Sequence, residues 1–303
     1  MNETVKEKLA EIAGQIGGTP IVRLGNEIYG KFEAANPAGS IKDRAAFYII
    51  KDALESGALK EGAPVVEATS GNTGIGLAYV GRLLGLKVIL TMPESMSAER
   101  RALLKSYGAE LVLTPAAEGM NGAVSAAKRI VAEKHGFFAD QFGNPSSIKA
   151  HFETTAPEIF KQIPDVKAIV AGVGSGGTAM GIKKYIVENK LDCKVFALEP
   201  EESPLLSRGV AGPHLIQGIG ANFVPAIVDK ACFDGIVTVK GKDSVKKAGD
   251  LFAEYKIKVG ISSGANVLGA IKLRDTVQGP IVAILPDSGD RYDPQIYSGS
   301  RYI

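Results

Sequence analysis

Short runs of Val, Ile, Leu and Ala recur at residues 64–68, 87–92, 110–114, 167–172, 194–199 and 280–286, separated by longer stretches in which apolar positions return every three or four residues. The runs are too short for helices and are apolar at consecutive positions, so they predict strands buried on both faces. The stretches between them, such as 98–107 and 123–134, predict helices. Strand and helix in alternation predict an α/β fold of parallel sheets covered on both sides. Ahead of these, Val5, Leu9, Ile12 and Ile16 share one face of an amphipathic helix that Gly17 and Gly18 stop. The segments PIVRL and YGKFEA around GNEI predict a hairpin or edge strands. No linker rich in Pro, Gly and Ser, low-complexity tract or charge block divides the chain, so its 303 residues, enough for roughly two domains, predict two closely packed lobes that share the chain discontinuously.

One pattern recurs three times. An apolar run breaks into Ser-Gly and a helical period begins: EATSGNTGIGLAYV (67–80), AGVGSGGTAMGIKKYI (171–186) and VGISSGANVLGAIKL (259–273). Each break is expected at the carboxyl end of a strand, where open parallel sheets bind ligands. Each also presents the free N–H groups of a helix start, whose partial positive charge favours an anion by about 0.3 to 2 kcal/mol. Three such turns point to ligands with more than one anionic group, although Ser, Thr and Asn there also serve as plain helix caps. Gly172, Gly174 and Gly177 fit GxGxxG, and Glu199 lies where a dinucleotide fold places its ribose-binding acid. That spacing keeps a nicotinamide-dependent oxidoreductase open as a distant alternative, on a motif that is weak in a chain with 36 glycines.

Composition narrows the field. The 35 Lys and Arg nearly balance the 33 Asp and Glu, with no basic block interleaved with aromatics, so neither nucleic acid nor a membrane surface is an expected partner. The most apolar stretch, residues 75–92, is interrupted by Arg82 and Lys87, which argues against a membrane span. Cys193 and Cys232 are far apart and His135, His151 and His214 follow no ligand spacing, so no metal site is expected and the cysteines are read as buried free thiols. The expected location is the cytoplasm. Gly260, Ser262 and Gly264 fit the serine-hydrolase elbow, but no His follows His214 to complete a triad. None of the glycine loops carries the Lys of a nucleoside-triphosphate loop.

In AANPAGSIKDRAAFYII (34–50), Pro37 and Gly39 mark a turn, Ser40 can cap, and Lys42 falls in the first turn of a helix. A helix start disfavours the ammonium and favours the neutral amine, which is the nucleophile for carbonyl groups. From placement alone, a solvated surface lysine remains the alternative. The surrounding blocks add to this: GGTPIVRL, NPAGSIKDR, EATSGNTGIGLA, MPESMSAERR, LKSYGAELVLTP, QFGNPSSIKAHFETTAPEI, GVGSGGT, LEPEESPLL, GPHLIQGIGANFVP, VGISSGA and LPDSGDRY, in this order. Together, from residue 17 to Tyr292, they resemble the cysteine synthase (O-acetylserine sulfhydrylase) family of fold-type II pyridoxal-phosphate enzymes.

The resemblance implies two open, mostly parallel twisted sheets in two lobes with the active site between them. It implies a larger, cofactor-phosphate-binding domain formed by 1–35 and 140–303, and a smaller mobile domain, 36–139. Lys42 would join the cofactor, pyridoxal 5'-phosphate, and act as acid and base; Gly174, Ser175, Gly176, Gly177 and Thr178 would cradle its phosphate. Asn72 would bond its ring hydroxyl oxygen and Ser262 its pyridine nitrogen, where a neutral hydroxyl makes the ring a weaker electron sink than a carboxylate would. Thr69, Ser70, Gly71, Thr73 and Gln141 would grip the substrate carboxylate. The implied reaction is β-replacement, in which O-acetyl-L-serine loses acetate to give an aminoacrylate and sulfide adds to give L-cysteine. O-phosphoserine as donor or homocysteine as acceptor is the neighbouring alternative. The resemblance further implies a homodimer and a complex with the C-terminal tail of serine acetyltransferase. Ser175 stands where Thr is more common, Gly18 where Asn is, and Asn222 where Gly is frequent.

Overall fold

The computed structural model describes residues 3–298. In chain order the helices are α1 (Glu3–Gln15), α2 (Lys42–Glu55), α3 (Asn72–Leu84), α4 (Ala98–Ser106), α5 (Gly119–Lys134), α6 (Ser146–Ala150), α7 (Ala156–Gln162), α8 (Gly177–Glu188), α9 (Leu205–Arg208), α10 (Gly241–Tyr255) and α11 (Ile261–Leu273). The strands are β1 (Ile21–Arg23), β2 (Ile28–Phe32), β3 (Val65–Ala68), β4 (Val88–Pro93), β5 (Glu110–Thr114), β6 (Phe137–Phe138), β7 (Ala168–Gly172), β8 (Lys194–Pro200), β9 (Gly235–Val239) and β10 (Ile281–Leu285). The chain folds as two compact units, one formed by the described residues of Met1–Gly17 and by Lys42–Ser147, the other by Gly18–Ile41 and the described residues of Ile148–Ile303.

The first unit is built on a four-stranded parallel sheet in the order β5-β4-β3-β6. Every residue of β3 and β4 is buried, as strands covered on both faces must be. Val66, Ala68 and Ile89 pack on Ala123, Ala127 and Ile130 of α5. On the opposite face Leu90 meets α3, where a Cβ at Gly74 would lie 2.9 Å from Leu90 Cδ1 and 3.3 Å from Leu104 Cδ2 of α4. Close crossing of α2 and α3 needs a glycine, since a Cβ at Gly76 would stand 3.0 Å from the Lys42 carbonyl oxygen.

The second unit holds a six-stranded sheet, β1-β2-β10-β7-β8-β9, parallel except for the β1–β2 hairpin. Side-chain alternation sorts its strands onto two cores. Ala168, Val170, Ala283 and Leu285 join α10 and α11, whereas Ile169, Ala171, Val282 and Ile284 join α7 and α8.

Three features differ from the expectations. The described part of Met1–Gly17 groups with Lys42–Ser147 instead of with the larger unit, because α1 buries Leu9 and Ile12 and its Gln15 Oε1 accepts the Tyr79 hydroxyl of α3 at 3.1 Å. Gln141, expected in the larger unit, also lies in this one, held there by Glu67 and Thr73. The third Ser-Gly break does not end a sheet strand: Val259 makes only an isolated antiparallel bridge to Ser288, and α10 precedes α11.

Candidate active site

Lys42 is the first residue of α2 and is half-buried. The turn before it depends on Gly39, whose φ of +78° a side chain rarely adopts, and the Ile41 N–H donates to the Pro286 carbonyl at 2.8 Å. The helix start therefore falls at the lysine, as the sequence predicts.

Asn72, Thr69, Ser70, Gly71, Thr73 and Gln141 come together in the first unit. The Thr69 N–H continues the β3–β4 ladder to the Thr91 carbonyl at 3.1 Å, after which the chain turns and α3 begins at Asn72. Thr69 Oγ1 accepts the Gly71 N–H at 3.2 Å, closing a local turn. Thr73 donates its hydroxyl to Gln141 Oε1 at 2.6 Å, which joins the helix start to the segment after β6. The backbone N–H groups of Ser70 and Thr73 meet no acceptor among the described residues, so the loop retains donors for an anion.

Gly174 to Thr178 connect β7 to α8 in the second unit. Gly176 is left-handed at φ +87°, and a Cβ there would strike Val228. A Cβ at Gly174 would strike the Gly218 carbonyl, so the Gly218 backbone and the Val228 side chain close on this loop. Among the described residues no acceptor pairs with the N–H groups of Ser175, Gly176, Gly177 and Thr178, and the first bond from the helix start is Met180 N–H to Gly176 O at 3.0 Å. Four converging donors at the positive end of a twelve-residue helix fit a phosphate.

Ser262 is 3% exposed on the first turn of α11, and its hydroxyl has no partner among the described residues. One turn later Asn266 approaches the end of β7, where a Cβ at Gly172 would lie 3.3 Å from its Oδ1. A buried hydroxyl with unspent hydrogen-bonding capacity, on the helix beside the phosphate-type loop, fits a heterocyclic nitrogen acceptor. Within the second unit, the donor set and the buried hydroxyl suit a phosphorylated heterocycle; within the first, the helix-start lysine suits an aldehyde.

Two residues to which the motifs assign no role support these loops, one in each unit. Glu67, buried in β3, accepts the Gln141 N–H at 3.1 Å, and burial pushes its carboxyl up to about 7. His151, 1% exposed in a π-helical turn (His151–Thr155), bridges Thr155 Oγ1 at 2.8 Å and Thr178 Oγ1 at 3.2 Å. A charge inside the apolar run VVEA was the available signal for Glu67; a lone His in a helical stretch offers none.

The remaining expectations divide. Glu199 has its carboxylate filled by the N–H groups of Leu206 and Ser207 and by the Ser207 hydroxyl, so it caps α9 and is not free for a ribose. Cys193 is buried and its thiol is pushed up to about 12 by that burial, whereas Cys232 is half-exposed, contrary to the expectation that both are buried. No group of three or more His, Cys, Asp or Glu among the described residues could hold a metal, and no helix among them is long and apolar enough to cross a membrane.

Comparison with known proteins agrees with the geometry. Residues 12–287 match the profile of the family described as pyridoxal-phosphate dependent enzyme. A cysteine synthase from Staphylococcus aureus (strain Mu50 / ATCC 700699) is 45% identical over 289 residues, covering 91% of this chain and 93% of the relative. Cysteine synthase B from Campylobacter jejuni subsp. jejuni serotype O:2 is 46% identical over 294 residues, covering 95% and 97%. The crystal structure of cysteine synthase from Entamoeba histolytica superposes with a TM-score of 0.91 at 39% identity, covering 96% of this chain and 91% of that one. With 276 residues under one family profile and near-complete coverage by relatives of this identity, the chain belongs to the pyridoxal-phosphate dependent enzymes.

Proposed function

We propose that the protein is a cysteine synthase, converting O-acetyl-L-serine and sulfide to L-cysteine and acetate. The observation that carries the reading is the pairing of a lysine at the first position of a helix with a separate loop of four unpaired N–H donors, in a chain 45% identical to a cysteine synthase over most of its length. Pyridoxal phosphate, when bound, supplies an electron sink for the pair released at the substrate Cα.

Lys42 would hold the cofactor through Nζ and move the proton at Cα; its place at the helix start favours the neutral amine that both tasks need. Gly174 to Thr178 would hold the phosphate with backbone donors, Thr178 being fixed by His151. Asn72 would bond the ring hydroxyl oxygen. Ser262 would bond the pyridine nitrogen without protonating it, which favours loss of a β leaving group over a long-lived carbanion. Thr69, Ser70, Gly71 and Thr73, with Gln141, would orient the amino acid by its carboxylate. The two implied anions, phosphate and carboxylate, each have a helix start with spare N–H groups.

For the cellular form we propose a cytoplasmic homodimer able to bind the C-terminal tail of serine acetyltransferase, a reading supported by the family resemblance. The test of function is direct. Purified protein should carry a visible cofactor absorbance and form cysteine from O-acetyl-L-serine and sulfide, and Lys42→Ala should lose the catalysis by at least the 10²- to 10⁴-fold that acid–base help supplies. Preference for O-phosphoserine, or for homocysteine over sulfide, would contradict the substrate assignment while leaving the cofactor reading standing.

A further inference from the structure

Glu67 is the one charged residue in β3, and all four residues of that strand are buried. Its two oxygens serve different segments. Oε1 accepts the N–H of Ala68, where the 69–73 loop departs, at 3.0 Å; Oε2 accepts the N–H of Gln141, after β6, at 3.1 Å. Gln141 in turn accepts the Thr73 hydroxyl at 2.6 Å. These bonds close a ring that runs from β3 through Glu67 to Gln141, across to the first turn of α3, and back along the loop to β3.

A strand that needed only to be buried would be better served by an apolar residue, because a buried carboxylate is destabilising unless it does something the apolar group cannot. What Glu67 provides is two acceptors on rigid backbone, aimed at both ends of the loop proposed to grip the substrate carboxylate. We propose that Glu67 is a positioning residue for amino-acid binding, acting through Gln141, and that its ionised form is the one that holds the grip in place. This inference rests on the functional reading above.

Protonation puts a donor on one oxygen and leaves that oxygen a much weaker acceptor, so the neutral carboxyl holds the two N–H groups less well than the carboxylate. The surroundings place that change near neutrality. Burial raises the carboxyl most, the backbone N–H groups of Gln141, Ala68 and Asp140 pull it down, and the nearby charge of Asp140 pushes it up, with a net value of about 7. From the packed elements, β4 sets Leu90 opposite Glu67, and α3 presents Gly74 on the same face. Asp140 is thus the charged group among the described residues whose field reaches it. Donor affinity should therefore strengthen as pH rises through this ionisation.

The test is a titration of the wild-type holoenzyme and its Glu67→Gln variant with L-serine, followed by cofactor absorbance between pH 6 and 8, with KM and kcat for O-acetyl-L-serine alongside. The amine of the ligand titrates identically in both proteins, so their difference isolates Glu67. The expected result is an unchanged cofactor band, a KM about tenfold higher at pH 8, as for loss of a hydrogen bond to a charged group, kcat within about twofold, and a gap between the proteins that shrinks toward pH 6. Equal affinities, or a gap that does not change with pH, would overturn the proposal. Asp140→Asn provides the arm that leaves Glu67 in place: it should move the wild-type inflection to lower pH, and an unmoved inflection also overturns the proposal. Absence of the cofactor band from the wild type would contradict the functional reading itself, whereas an intact band with identical profiles contradicts only the role of Glu67.

Discussion

Glu67 shows how one buried carboxyl ties local chemistry to stability. Its ionisation is raised from the ordinary 4.5 to about 7, chiefly by burial, so between those values the folded protein keeps a proton that the unfolded chain has released. Stability from this group is therefore full below pH 4.5 and declines as pH rises through about 7. At 1.36 kcal/mol per unit the decline amounts to about 3 kcal/mol. Urea unfolding at pH 5 and pH 8 should show Glu67→Gln gaining on the wild type by an amount of that order as pH rises; a difference that stays constant with pH would contradict the assignment. At this scale the sequence was informative wherever a residue's role follows from its immediate neighbours. Lys42 could be placed at a helix start from Pro37, Gly39 and the apolar period after Ile41. Gln141 and Thr73 are 68 positions apart, and their hydrogen bond follows only from β6 pairing with β3, a two-residue strand with no signature of its own. His151 and Thr178 were hidden for the same reason, since their contact depends on how α8 crosses the π-helical turn.

Strands were legible where the sequence forms an apolar run, including β5, which is only partly buried yet matches the run at 110–114. β3, β4, β7 and β10 are almost wholly buried and fall within a residue or two of the apolar runs that predict them. β9, partly exposed along most of its length, and β6 at the sheet edge left no such run. The third Ser-Gly turn has the local chemistry of the other two, yet Val259 before it joins the apolar cluster of α10 and α11 and makes only an isolated bridge instead of entering a sheet, which composition cannot distinguish. Among these turns the β7–α8 loop offers the sharpest test. Gly176 holds a left-handed conformation with Val228 against the place of its missing side chain. Gly176→Ala should destabilise the protein by about 1 to 2 kcal/mol from backbone strain alone. It should also weaken cofactor affinity, because the N–H groups on either side of Gly176 would lose their common aim. Thermal unfolding and cofactor titration check this, and wild-type affinity in the variant would show that the loop is not the phosphate site.

Across the whole molecule, two units of parallel-sheet architecture each contribute a glycine-bearing helix start, and the residues proposed to act on one cofactor are distributed over both. The chain crosses from one unit to the other between Ile41 and Lys42, so the proposed covalent anchor is the first residue after a crossing. A glycine spacing that also fits a dinucleotide fold loses that reading once Glu199 is seen capping α9. What remains is a pyridoxal-phosphate dependent enzyme whose chemistry is proposed to depend on a single amine. Borohydride reduction of the holoenzyme, followed by proteolysis and mass spectrometry, measures that dependence directly. The phosphopyridoxyl group should be found on the peptide containing Lys42 and on no other; its recovery on a different lysine, with Lys42 unmodified, would contradict the account.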